Sequence, residues 1–260
     1  MKKSTAKKLK LVAGLISLLI VLTWACKGTE VSISTFIKGV PNAVQIIKVM
    51  FPPDFSIIPH LMPAILETLQ VAVASIIITS LIVTPISFLA AKNTSPNYLT
   101  YRIMRTILNL LRSIPALLYA LIFIAMLGLG PFPGVAGLVL HCTGALGKYF
   151  SEAIENVNPN IVESTKSTGA TFTQVILFAI IPELKPLFLG YILYYFEYCI
   201  RTSTILGLVG AGGIGFELLT KIRLFQYQQT LAIIITIVAI VTVVDTISFA
   251  IRRKMIGIKK

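Results

Sequence analysis

Thirty consecutive residues, Met62 to Ala91, form one apolar stretch rich in Val, Ile and Ala that ends at Lys92-Asn93. About 20 apolar residues in a helix cross the hydrocarbon core of a bilayer, so this stretch is long enough to span one. Five further apolar runs follow the same logic: Leu11 to Cys26, Pro115 to Leu129, Val135 to Leu146, Pro186 to Gly207 and Thr230 to Ile251. Composition agrees, with 56% of the 260 residues hydrophobic and 13% charged, whereas a soluble domain carries about 25% charged residues. A water-soluble globule is excluded. The expectation is an all-α polytopic membrane protein with six transmembrane helices.

The net charge of +13 would suggest nucleic acid as a partner for a soluble chain. Its placement argues otherwise. Lys2, Lys3, Lys7, Lys8 and Lys10 precede the first run, and Arg252, Arg253, Lys254, Lys259 and Lys260 follow the last. With Lys92, Arg102, Arg105 and Arg112 also on one side, a six-span topology puts sixteen basic residues inside and six outside, with Lys185 at a boundary. This is the positive-inside pattern; both termini are expected in the cytoplasm of a bacterial cell, with the chain in its cell membrane against lipid and no nucleic acid partner. Cys26, Cys142 and Cys199 show no CxxC spacing, and His60 and His141 are the two imidazoles. Neither a disulfide framework nor a metal site is supported, and no cofactor is expected.

The resulting organisation is a cytoplasmic N-terminus and first span (1–26), an extracytoplasmic loop with an amphipathic segment (27–60), a core holding spans two to six (61–251), and a basic cytoplasmic tail (252–260). Ala25-Cys26 resembles a poor lipoprotein cleavage site, but Trp24 beside it argues for an uncleaved span. Residues 36–51 are amphipathic enough to lie along the membrane surface. The segment GLGPFPG, Gly128 to Gly134, closes a tight outer hairpin, and Gly137, Gly144 and Gly147 suit close helix packing.

Gly210-Ala211-Gly212-Gly213-Ile214-Gly215 satisfies GxGxxG, yet no acidic residue stands about 20 positions on to bind a ribose. The glycines instead fit a turn that permits positive φ and close approach, lining a protein-enclosed or water-filled passage where non-helical backbone is tolerated. In the polar loop of about 150–182, Asn158 can cap and Pro159 suits the first helical position. Gly169 sits where a left-handed residue ends that helix, and Thr171 with Gln174 has capping-box spacing for a second. Its apolar stretch is expected to stop at Pro182. Taken locally, this is an ordered connector or a functional knob.

The spacing carries a resemblance. Glu163-Ser164-Thr165, three residues, Gly169, nine residues, then Ala179-Ile180-Ile181-Pro182 resembles the EAA loop of ABC-importer permeases, with Ser164 and Thr165 in place of two alanines. LRSIPALLYALIFIAMLGLGPFPG (Leu111 to Gly134), RTSTILGLVGAGGIGFEL (Arg201 to Leu218) and FPPDFS (Phe51 to Ser56) resemble permease subunits of phosphonate- and phosphite-type ABC importers. The GLVGAGGIG segment is also shared with methionine-type permeases. The likeness spans roughly residues 35–255.

It implies a type I ABC-importer permease fold and a coupling helix, carried by Glu163, Ser164, Thr165, Gly169 and Pro182, that docks on a cytoplasmic ABC ATPase dimer. It also implies a second permease subunit, identical or paralogous, and an extracytoplasmic substrate-binding protein. ATP hydrolysis falls to the partner, since GxxxxGK[ST] is missing from this sequence. Alternatives are a permease of another type I importer, a secondary transporter, for which no convincing inverted repeat is visible, and an intramembrane enzyme, for which no acid pair or metal constellation is visible. Within the fifth run, Glu197 and Arg201 lie four residues apart and share a helix face. Charges within an apolar span must face protein or water. Either they tie the helix to its neighbours, or Arg201 lends positive potential to an anion pathway alongside Gly210, Gly212, Gly213 and Gly215 while Glu197 holds it in place.

The topology has a direct check. In a cysteine-free version, single cysteines at Ser4, Gly28, Ser164 and Lys259 are expected to react with an impermeant thiol reagent in intact cells only at Gly28; labelling at Ser164 refutes a cytoplasmic loop.

Overall fold

The computed structural model describes residues 2–29 and 31–256. All regular structure among them is helical. The chain divides into two compact units, Met1–Pro52 and Pro53–Lys260. The first contains α1 (Lys2–Gly28) and α2 (Ile33–Met50), the latter with Phe36 and Ile37 exposed.

The second unit opens with a single 3-10 turn at Phe55–Ile57, capped by Asp54, and then α3 (Ile58–Leu89). There follow α4 (Tyr98–Ser113), α5 (Ala116–Leu127), α6 (Pro131–Glu155), α7 (Pro159–Ser167), α8 (Phe172–Val175), α9 (Ile181–Gly207), α10 (Gly213–Arg223) and α11 (Tyr227–Ile256). The main core lies between α3, α5, α6 and α9, where Val71, Ala72, Ala120, Leu138, Leu146 and Ile200 are buried together. A second cluster, with Ala153, Ile154, Val175, Ile180 and Leu184, sits under α7 and α8. A third joins α3, α10 and α11 through Leu61, Ile214 and Ile233. Asp54 Oδ1 accepts from the Ser56 amide at 3.0 Å and its hydroxyl at 2.6 Å, and Gln229 Nε2 donates to Oδ2 at 3.2 Å. These donors hold the half-buried Asp54 carboxyl below its usual range.

The third expected span, Pro115 to Leu129, begins at a sharp bend. Pro115 drives Ile114 into extended geometry (φ −94°, ψ 124°), and α4 meets α5 at an 84° bend. The carbonyls freed at the bend find donors: the Tyr119 hydroxyl at 3.1 Å from Leu111 O and His141 Nδ1 at 2.9 Å from Ile114 O. With 12 residues, α5 is about 18 Å long at 1.5 Å per residue, short of a bilayer core. Its partner α6 carries His141, Lys148, Glu152 and Glu155. By length and composition, three helical stretches can cross a membrane (Phe55–Leu89, Phe172–Gly207 and Tyr227–Lys254), or up to five if each bent pair is one span. The count of six is therefore not reached among the described residues.

A second expectation is corrected at Pro182. The loop's second helix does not stop there but passes through one π-helical turn, Ile176–Ile180, directly into α9. Proline lacks an N–H and crowds the carbonyl four residues earlier. The wider turn, closed by Ile181 N–H to Ile176 O, places Pro182 in the first turn of α9 without breaking the path.

The glycines of α6 pack as expected. A Cβ at Gly137 would meet the backbone of Ala120 on α5, one at Gly144 the backbone of Leu108 and Arg112 on α4, and one at Gly147 the Leu108 side chain. Gly144→Val is expected to destabilise the protein by about 1–3 kcal/mol through overpacking, read as a lowered Tm in detergent. Gly14→Ala, with nothing within 4 Å of the added carbon, should leave Tm unchanged.

Candidate functional site

The glycine segment is a turn that reverses the chain between α9 and α10. Past Gly207, the Leu208, Val209 and Gly210 amides bond three residues back, and Ala211 N–H reaches Leu206 O at 3.1 Å. Gly210, Gly212 and Gly213 take φ of 105°, 77° and 70°, the left-handed region that side chains disfavour. Gly215 has ordinary φ but its α-carbon faces the Thr204 carbonyl so closely that a Cβ would collide with it. Gly210 O accepts the Gly130 amide at 3.0 Å, joining the turn to the GLGPFPG hairpin.

The turn is anchored by residues the sequence reading did not single out. The first amides of α10 point at α3: Gly213 N–H donates to Glu67 Oε2 at 3.2 Å and Ile214 N–H to Thr68 Oγ1 at 2.9 Å. A carboxylate at a helix N-terminus satisfies orphan donors and the helix dipole together. The available signal was Glu67 itself, an acid inside a run with no other charge.

The polar loop forms the knob its local signals imply. Asn158 Oδ1 accepts from the Asn160 amide at 3.0 Å, Pro159 opens α7, and Gly169 has φ 83°. Gln174 Oε1 accepts the Thr171 amide at 2.8 Å. Val162 and Ala170 pack inward on the second core cluster, whereas Glu163, Ser164, Gly169 and Phe172 are exposed and Thr165 is half-buried. The Thr165 and Ser164 hydroxyls bond back to Ile161 O at 2.9 and 3.1 Å. Two small polar residues thus stand in a helix where alanines would, with their hydroxyls satisfied. Pro182 is exposed at the base of the knob.

Glu197 and Arg201 are not partners. Glu197, 5% exposed, receives Arg252 Nη2 at 2.7 Å from near the C-terminal end of α11. Arg201 is exposed and makes no ion pair among the described residues. Four-residue spacing permits a contact but does not compel it; the buried carboxylate takes the cation that α11 brings to it. A further network holds the base of the core, where Arg105 reaches Glu152 at 3.3 Å and Glu155 at 3.1 Å, and Glu155 also accepts the Lys92 amide at 2.8 Å.

A helical protein with apolar spans, a glycine turn buried between them and a capped knob is a polytopic membrane protein. Residues 83–257 match the family of binding-protein-dependent transport system inner membrane components, and the chain belongs to that family. The phosphite transport system permease protein PtxC of Stutzerimonas stutzeri is 41% identical over 220 residues, covering 85% of this chain and 80% of that protein. The putative phosphite transport system permease protein HtxC of the same organism is 36% identical over 245 residues, 94% of this chain and 86% of that one. The phosphate-import permease protein PhnE of Mycolicibacterium smegmatis is 34% identical over 234 residues, 90% of this chain but 43% of that protein. The inward-facing MetNI methionine ABC transporter aligns with a TM-score of 0.68 at 19% identity, over 78% of this chain and 99% of that chain. The fold is that of a type I ABC-importer permease.

Breaking one side of the Glu197–Arg252 pair leaves a buried charge uncompensated. Arg252→Ala is expected to cost about 3 kcal/mol or more, whereas Arg201→Ala should stay within about 0.5 kcal/mol, as exposed sites do. Unfolding in detergent compares the two; equal losses would refute the assignment of the partner.

Proposed function

We propose that this chain is the membrane-spanning permease subunit of an ATP-driven importer for phosphite, phosphonate or a related phosphorus oxyanion. The observation that carries the substrate class is the 41% identity over 85% of the chain to a phosphite transport permease. Relatives named for phosphite and for phosphate share the tetrahedral oxyanion rather than one compound, so the reading is stated at that level. Two permease subunits, this chain twice or with a paralogue, enclose the path; a cytoplasmic ATPase dimer drives it and an external binding protein delivers the anion. The termini and the α7–α8 knob face the cytoplasm, as the basic residues at the chain ends favour.

In this reading the knob is the coupling element, with Glu163, Ser164, Thr165 and Gly169 presented to the ATPase and Pro182 marking the passage into α9. The turn of Gly210, Gly212, Gly213 and Gly215 lines the path, and Arg201, exposed and without an acidic partner among the described residues, adds positive potential there. Glu197 has the structural role of joining α9 to α11.

The test is uptake of phosphite, methylphosphonate and inorganic phosphate by proteoliposomes holding this chain with its ATPase and binding protein. Import of at least one, dependent on ATP, is expected; ATP-independent import would refute the reading. Gly169→Val forces a β-branched residue into φ 83°, a strain of about 1–3 kcal/mol. It is expected to abolish ATPase association or substrate-stimulated hydrolysis while membrane insertion stays normal. Unchanged assembly and transport would remove the knob from the mechanism.

A further inference from the structure

Beside the core, α4, α6 and α9 line a half-open cavity of about 380 Å³, bordered by Asn109, Arg112, His141, Lys148, Glu152 and Tyr195, among others. That volume falls within the range of small-molecule sites, about 300–1,000 Å³. Its walls are basic. Arg112 has no carboxylate partner among the described residues. Lys148 lies 3.4 Å from Glu152, but that carboxylate is also met by Arg105 at 3.3 Å, so the one acid in the lining has two cations upon it. His141 faces a carbonyl, which only accepts, through Nδ1 at 2.9 Å; Nδ1 therefore carries a proton and the ring is held in place. Its other face stacks on Tyr198 at 5.7 Å.

The positions are rigid for a reason already given. Gly144 lets α6 approach α4 at Leu108 and Arg112, fixing the backbone of Arg112 against the helix that carries His141 and Lys148. Those two are seven residues apart, two turns along one face. Asn109 and Tyr195 add neutral donors. A guanidinium and an ammonium converging on one cavity suit an anion with several oxygens.

We propose that this cavity is an oxyanion station on the translocation route, in which Arg112 is the principal contact, Lys148 turns from Glu152 to a second oxygen, and His141 completes the wall. The station rests on the substrate class proposed above. The same chemistry would bind a phospholipid headgroup, and the experiment separates the two sources.

The assembled transporter, permease with ATPase and binding protein, is reconstituted in phosphatidylcholine vesicles and in vesicles with added phosphatidylglycerol. Uptake of phosphite, methylphosphonate and inorganic phosphate is measured beside ATP hydrolysis. Arg112→Gln is expected to slow uptake by roughly tenfold or more, the loss that one hydrogen bond to a charged group represents. ATP hydrolysis stimulated by loaded binding protein should stay near the wild-type rate, and Arg112→Lys should restore most of the uptake. The same defect in both lipids supports the station. A defect confined to phosphatidylglycerol vesicles assigns the site to lipid and overturns it, as does normal uptake by Arg112→Gln or loss of hydrolysis in step with uptake. If the wild-type complex imports none of the three anions, it is the substrate reading that fails, and the station with it.

Discussion

Backbone polar groups shielded from water need partners within the protein, and the fold turns on how that demand is met where a helix is broken. Between α9 and α10 the chain reverses on glycines, and the first amides of α10 would be orphans. Glu67 and Thr68 of α3 receive them, and Gly210 O receives Gly130 N–H from the hairpin. The turn is thereby bound to α3 and to the hairpin at once. The α4–α5 bend obeys the same demand, with a tyrosine hydroxyl and an imidazole replacing the lost helical donors.

Charge is handled by the same economy. Few ionisable residues lie within the apolar elements, and Glu197 is met by a long cation from another helix. Arg105 collects two carboxylates of α6 and so adds an ionic tie to the same α4–α6 contact that Gly144 and Gly147 close. A core of small residues and a few paired charges defines one packing of α3, α4 and α6.

What could be read from sequence follows the range of the interactions. The α7–α8 knob was legible because a cap, an N1 proline, a left-handed glycine and a capping box are local, each declared within four residues. The resemblance at Glu163, Gly169 and Pro182 used fixed spacings within one loop, and the family to which the chain belongs agrees with it. Glu67 with Gly213 was not legible because 146 residues separate them, and Arg252 with Glu197 because the separation is 55. Arg201 offered a nearer partner by spacing alone, and burial decided against it. Pro182 misled because the proline rule assumes α-helical bonding, which the π turn replaces. Val135 to Leu146 was legible as an apolar run but not as part of α6, which continues through Lys148, Glu152 and Glu155.

The continuity of α9 through Pro182 has a mechanical consequence. From Ile181 to Gly207 the helix holds 27 residues, a rod about 40 Å long at 1.5 Å per residue, with the knob at one end and the glycine turn at the other. If it pivots as a rigid body by about 10°, its far end sweeps about 7 Å over that length. A displacement at the knob would thus reach the glycine turn, where Glu67 and Thr68 hold the first amides of α10.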